Sequence, residues 1–258
     1  PRTKLQGRNG ETFDYVPSKR IAVPVNKENA VASGIVRPED AHLMVDTVYL
    51  DIQKEDIDRT EMMLIDLLAN FDWKRPLYFT QYYTPSRLGL DKYMQLDGFA
   101  YQFVPIRTEE SDYFVGRIDT ESLYDKLMNT FEYGNIADPK VYADGFIQDN
   151  FRATRARELY VRLAQQLLQE GDTTRALNVL DTGLEKIPFA QIRHDIFSTL
   201  MMIETYYLAG APDKGNAIAE DYARILEENI GYYLRFTGRK AELVRAQLGS
   251  DVRALKEI

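Results

Sequence analysis

Tyr160-Val-Arg-Leu-Ala-Gln-Gln-Leu-Leu-Gln-Glu-Gly-Asp-Thr-Thr-Arg-Ala-Leu-Asn-Val-Leu-Asp-Thr-Gly-Leu-Glu-Lys-Ile-Pro188 divides at Gly171-Asp172 into two amphipathic segments. Tyr160, Leu163, Ala164 and Leu167 recur at helical spacing before the turn, and Ala176, Leu180, Gly183 and Leu184 do so after it, which predicts two helices with one apolar stripe each. Small residues at Ala164, Ala176 and Gly183 predict a close approach between them. A helical pair of this spacing ended by a proline resembles the tetratricopeptide repeat, whose stacked copies bury a continuous core. Gly210-Ala-Pro-Asp-Lys-Gly215 answers Gly171-Asp-Thr-Thr-Arg-Ala176, with Met202, Ile203 and Tyr206 ahead of it and Ala219 and Tyr222 behind. The spacing between the two turns exceeds the roughly 34-residue period of that repeat. Extra residues around Phe189 to Asp195 are expected to absorb the difference. A generic helical bundle is the alternative.

The chain has 258 residues, 45% of them hydrophobic, enough for one large or two modest cores. Its net charge of −8 offers no global attraction to phosphate backbones, so nucleic acid is not an expected partner, and an anionic membrane surface is not favoured by net charge either. No apolar run reaches the roughly 20 residues that span a bilayer. The polar opening has no period until about Tyr15, as if cut from something longer. The absence of cysteine removes disulfides, thiolate metal sites and cysteine nucleophiles.

Between Arg20 and Ile106 the pattern changes to short apolar runs, Ile21 to Val25, Val45 to Ile52, Leu77 to Tyr83 and Phe99 to Ile106, which read as strands. Asp58-Arg59-Thr60-Glu61 has capping-box spacing and opens a helix that is apolar almost all round. Short helices are expected over Asn26 to Ser33, stopped by Gly34, and over Leu90 to Leu96, stopped by Gly98. Asp119 caps a helix to about Phe131, Tyr133 to Asp149 reads as irregular, and a long helix starts near Phe151. The expected fold is α+β: a disordered or linker segment over 1–14, a small mixed α/β domain over 15–110, a linker over 111–118 and an all-α tetratricopeptide-like region over 119–258.

Candidate chemistry is sparse. His42 and His194 have no metal-site context and read as structural or surface residues. Asp51, Glu55, Asp56 and Asp58 lack the glycine and closing glutamate of an EF-hand and read as a solvated turn with a helix cap. No metal, cofactor or catalytic residue is expected. Arg152, Arg155, Arg157 and Arg162 crowd one helix, either to dock an anionic partner or as a solvated face paired with Glu158. If the helical pairs form a cradle, Arg155, Arg162, Gln166, Tyr206 and Tyr207 are the exposed side chains expected to reach a peptide or glycan.

Three segments carry a family resemblance: Tyr15-Val-Pro-Ser-Lys-Arg-Ile-Ala-Val-Pro-Val25, Trp73-Lys-Arg-Pro-Leu-Tyr-Phe79 and Leu88-Gly-Leu-Asp-Lys-Tyr-Met-Gln-Leu-Asp-Gly-Phe-Ala-Tyr101. With the helical hairpins, residues 15 to 230 resemble the C-terminal extracytoplasmic soluble part of a family of multi-spanning bacterial membrane proteins of unknown function. The membrane part of that family is similar to GT-C glycosyltransferases such as protein O-mannosyltransferases. The resemblance implies a region on the periplasmic side that is not catalytic alone. Its partners would be its own transmembrane region and a protein or glycan acceptor. It leaves the oligomeric state unknown and marks Trp73, Arg75, Tyr78 and Phe79 as the family-like motif. Two alternatives are a stand-alone tetratricopeptide-like interaction module and a soluble carbohydrate-active enzyme using Asp91 and Asp97, although six residues on one helix would set those carboxylates on different faces.

Overall fold

The computed structural model describes residues 3–6, 10–15, 18–52, 57–81, 83–109, 114–150 and 152–258. The chain is α+β and divides into two compact units, Pro1–Asp119 and Thr120–Ile258.

In the first unit, β1 (Thr3–Gln6) and β2 (Thr12–Tyr15) pair antiparallel, with Thr3 opposite Tyr15 and Gln6 opposite Thr12. The expected unstructured lead is therefore a hairpin. Lys4-Leu5-Gln6 and Thr12-Phe13-Asp14 each alternate polar and apolar, a period of two too short to register in a helical search. β3 (Arg20–Pro24) and β4 (Thr47–Asp51) form a second antiparallel pair, from Arg20 opposite Asp51 to Pro24 opposite Thr47. The far edge of β4 is tied by Val45 N–H to Pro105 O and Asp51 N–H to Leu88 O. α1 (Lys27–Ala32) is capped by the Asn26 side chain, and the chain leaves it through Gly34 at φ 73°.

α2 (Arg59–Ala69) opens with the predicted capping box: Asp58 accepts from Glu61 N–H, and Glu61 accepts from Asp58 N–H. Its buried Leu64, Ile65 and Leu68 join Val23, Val48, Leu50 and Phe103 in the core of this unit. The strand, helix, strand order holds, but its strands lie in different sheets. β5 (Tyr78–Phe79) pairs β7 (Ala100–Phe103), β7 pairs β6 (Met94–Asp97), and β6 pairs β8 (Arg117–Ile118) in parallel. The short α3 (Tyr83–Ser86) precedes this hairpin. The helix expected over Leu90 to Leu96 is a single 3-10 turn, Asp91–Tyr93, running into β6. Gly98 at φ 67° begins a two-residue hairpin loop, and cross-strand pairing prevails over the helical spacing.

In the second unit, α4 (Thr120–Asp125) runs on as a π-helical stretch over Lys126–Thr130. After an irregular segment come α5 (Gly145–Asn150), α6 (Arg152–Gln169), α7 (Thr173–Lys186), α8 (Ile196–Leu208), α9 (Pro212–Tyr233) and α10 (Arg239–Glu257). α6 packs on α7 and α8 on α9, turning at Gly171 (φ 83°) and Gly210 (φ 73°), where an L side chain would be strained. Asp172 caps α7 and Asp195 caps α8, while Pro212 opens α9. Tyr160, Leu163, Ala164, Leu167, Ala176, Leu180 and Gly183 are all buried, as the apolar stripes predict. Residues 187–195 form the longer connection between the pairs. One end is covered by α4 and its π-helical extension. Tyr160 OH donates to Leu127 O there, and Lys186 Nζ donates to the carbonyls of Leu127, Met128 and Phe131. α10 covers α9 at the other end, with Tyr222, Leu226, Ala254 and Leu255 in contact.

Candidate functional site

The chain leaves α2 through Asn70, and Trp73 then takes φ 63°, the left-handed region that a bulky L residue avoids. Three hydrogen bonds fix this turn. Trp73 Nε1–H donates to Pro24 O at 2.9 Å, Ser33 Oγ–H to Trp73 O at 2.9 Å, and Asn29 Nδ2–H to Asp72 O at 2.8 Å. The indole is fully buried, stacked on Phe103 at 5.0 Å and meeting the edge of Phe71 at 4.8 Å. A strained residue costs about 1–3 kcal/mol and persists where its surroundings over-determine it. Here the burial of a whole indole and the satisfied N–H offset that cost.

Above this knot lies an open cleft of about 640 Å³, lined by Asn26, Lys27, Asp46, Phe71, Asp72 and Trp73 among others. Its rim is charged. Lys27 Nζ lies 2.7 Å from Asp46, holding that carboxyl below the usual range, and the Lys74 backbone N–H does the same for Asp72. Both rim carboxylates are thus ionised at neutral pH and serve as hydrogen-bond acceptors. An ionised, solvated rim beside the half-buried Phe71 suits a polar ligand carrying hydroxyl or amide donors.

The rest of the family-like motif disperses. Arg75 is exposed, Phe79 is half-buried on β5, and Tyr78 donates from its hydroxyl to Asp97 Oδ2 at 3.0 Å. Partial burial, then the Asp97 charge, push the Tyr78 phenol up to about 12. Asp91 lies in the 3-10 turn and Asp97 at the end of β6, so the two do not share the helix whose geometry was the objection to pairing them. Among the described residues no group of three His, Cys, Asp or Glu side chains converges to hold a metal ion.

In the helical unit, Arg162 and Tyr206 are buried and do not form the exposed pair expected of a cradle. Tyr206 faces α7, where its hydroxyl donates to Asp181, itself paired with Lys214 at 2.6 Å. Gln166 donates to Glu170, which also accepts from Thr120 Oγ–H. Of the four members whose side chains are described, Tyr207 is the one that is well exposed, bonded to Asn216 Oδ1. The side chain of Arg155 lies outside the described residues, as does that of Arg152.

Arg157, read as part of a docking or solvated face, is fully buried. It donates to the carbonyls of Ile187, Ile192 and Arg193 and lies 4.1 Å from the Phe189 ring centre. His194 is stacked between Phe189, at 3.7 Å, and Tyr222, at 4.6 Å. Burial lowers its pKa to about 4, against the opposing hydrogen bond from Asp221. The neutral ring donates from Nε2–H to Asp221 and accepts at Nδ1 from Thr199. Sequence reasoning left His194 as a structural or surface residue and had no signal for its aromatic partners.

Among the described residues no helix is long and apolar enough to cross a membrane. No curated protein and no solved structure matches this chain. Residues 1–122, which contain the Trp73 cleft, match the family model of TMEM260-associated domain 2; this part of the chain is thus similar to a domain associated with a membrane glycosyltransferase-like protein.

Proposed function

We propose that this chain is the acceptor- or partner-recognition region of a membrane-embedded GT-C-like, protein O-mannosyltransferase-like enzyme. In this reading the reaction takes place in transmembrane helices, which this region meets from the extracytoplasmic side. The observation that carries the proposal is the family match over residues 1–122, because the open cleft beside Trp73 falls inside it. A strained, over-determined aromatic residue next to a solvent-open rim holds a binding surface still without moving parts. In this reading the helical pairs of the second unit serve as a tetratricopeptide-like scaffold for a peptide partner.

The test is made in cells lacking the full-length protein and complemented with Lys27→Ala/Asp72→Ala. Both side chains are solvent-accessible on the rim, at 43% and 58%, and an unchanged melting midpoint of the variant verifies the fold. The expected result is normal protein abundance with on the order of tenfold less sugar transferred to acceptor protein, measured by glycopeptide mass spectrometry. Acceptor glycosylation at the wild-type level would remove the cleft from recognition.

A further inference from the structure

The turn between α9 and α10, Gly231-Tyr-Tyr-Leu-Arg-Phe-Thr-Gly-Arg-Lys-Ala-Glu-Leu243, concentrates exposed apolar side chains with cations. Tyr232 is 56% exposed, Leu234 66% and Leu243 76%, far above what a folded unit needs to leave in water at one tip. Tyr232 meets Phe236 edge-on at 5.0 Å, which stiffens the turn. Arg235, Arg239 and Lys240 are exposed, and none makes an ion pair among the described residues. Arg239 and Lys240 stand four and three residues before Leu243 in α10, so all three share one helix face.

We propose that this tip is a docking surface for an anionic lipid bilayer. The charge complementarity is local. The chain carries −8 overall, but this tip has three cations and one acid, and at physiological salt a surface sees charges only within about 8 Å. A tyrosine at the level of the head groups and basic side chains at the phosphates reproduce the usual interfacial order. A second copy of the chain is a poorer occupant, because a two-fold contact would set the three cations against their own copies. The proposal is independent of the cleft and its acceptor, and reads a different property.

The chain as it stands is floated with phosphatidylcholine vesicles and with vesicles containing about 30% phosphatidylserine, at about 0.15 M salt. Two variants are compared with it: Leu234→Ser/Leu243→Ser, and Arg235→Glu/Arg239→Glu/Lys240→Glu. All five positions are exposed, and unchanged far-UV circular dichroism and melting midpoint verify the fold. The expected result is preferential binding to the anionic vesicles, lowered on the order of tenfold by either variant. The proposal is overturned if the wild type binds neutral and anionic vesicles alike or binds neither. It is also overturned if the charge-reversal variant binds like the wild type. A dimer abolished by Leu243→Ser, without vesicle binding, would assign the tip to self-association and overturn it too.

Discussion

In each unit a buried side chain reaches distant backbone carbonyls, Trp73 in the first and Arg157 in the second, and the two anchors are of opposite kinds. Trp73 is neutral, donates once, to Pro24 O, and is held by one neighbouring ring, Phe71, and one distant ring, Phe103. Arg157 is charged, donates to three carbonyls of one loop, and sits beside a titratable ring, His194. The difference follows from what each unit must fix. The N-terminal unit is assembled from strands far apart in sequence, so its anchor has to bring the end of α2 against β3 and β7. The helical pairs close through local contacts, and Arg157 holds the longer 187–195 connection between them. An apolar anchor should therefore dominate stability in the first unit. In the second, the anchor should make stability depend on pH.

The largest effect is expected at Trp73. Trp73→Ala removes the indole and its hydrogen bond and should cost about 3–5 kcal/mol, while Trp73→Phe, which keeps most of the ring area, should cost about 1–2 kcal/mol. Urea unfolding followed by far-UV circular dichroism gives the midpoint, and hydrogen exchange over residues 20–106 localises the loss. A Trp73→Ala variant less than about 1 kcal/mol weaker would mean that the left-handed turn is not held by the indole.

His194 sets the next effect. Its folded pKa, lowered to about 4 by burial, lies below the ordinary value of 6.5, so between these pH values the unfolded chain binds the extra proton. Stability is then full above about pH 6.5 and falls as the pH drops toward 4. The groups facing the ring are Asp221 and Asp195, which favour its charge, and Arg157, which opposes it. Asp221 itself is lowered, mainly by Arg224, so its own contribution is lost only below the usual carboxylate range and does not mask this window. His194→Phe keeps a ring in the stack and should flatten the stability profile between pH 4.5 and 7, as read by thermal melts. If its slope matched that of the wild type, the neutral His194 would not be the source.

Much of this architecture is legible in sequence because its signals are local. The Asp58 capping box, Asn26 before α1, the two glycine turns and the apolar stripes of α6 and α7 are each contained within a few residues, and each lies where the pattern put it. β6 was lost because Met94 to Leu96 also fit a short helix, though Gly98 at the start of a two-residue loop is a hairpin signal. The site was less legible for a physical reason. Arginine and tyrosine on an amphipathic helix read as surface groups, yet Arg157 and Tyr206 are inside, because carbonyls and a carboxylate some 25 to 36 residues away satisfy their donors. No window of sequence contains those partners. Trp73 was noticed in its motif, but its left-handed backbone and its link to Pro24, 49 residues away, are products of tertiary packing.

The smallest effect tests whether the helical pairs owe their closeness to glycine. A Cβ added at Gly183 would lie 2.7 Å from Tyr160 Cγ and 2.9 Å from Tyr160 Cβ, whereas one added at Gly249 in α10 meets nothing within 4 Å. Both glycines lie in helices, so alanine should gain about 1 kcal/mol of helix propensity at either position. At Gly249 that gain stands alone, and Gly249→Ala should stabilise by about 0.5–1 kcal/mol. At Gly183 it meets an overpacking cost of about 1–3 kcal/mol. Tyr160 cannot easily yield, because its root is what the new methyl would strike and its hydroxyl is held by Leu127 O. Gly183→Ala should therefore be destabilising by up to about 2 kcal/mol, with the sign opposite to Gly249→Ala in the same denaturation experiment. Equal gains at both positions would show that α6 and α7 can separate at little cost, and that the close helical pair is not what this glycine secures.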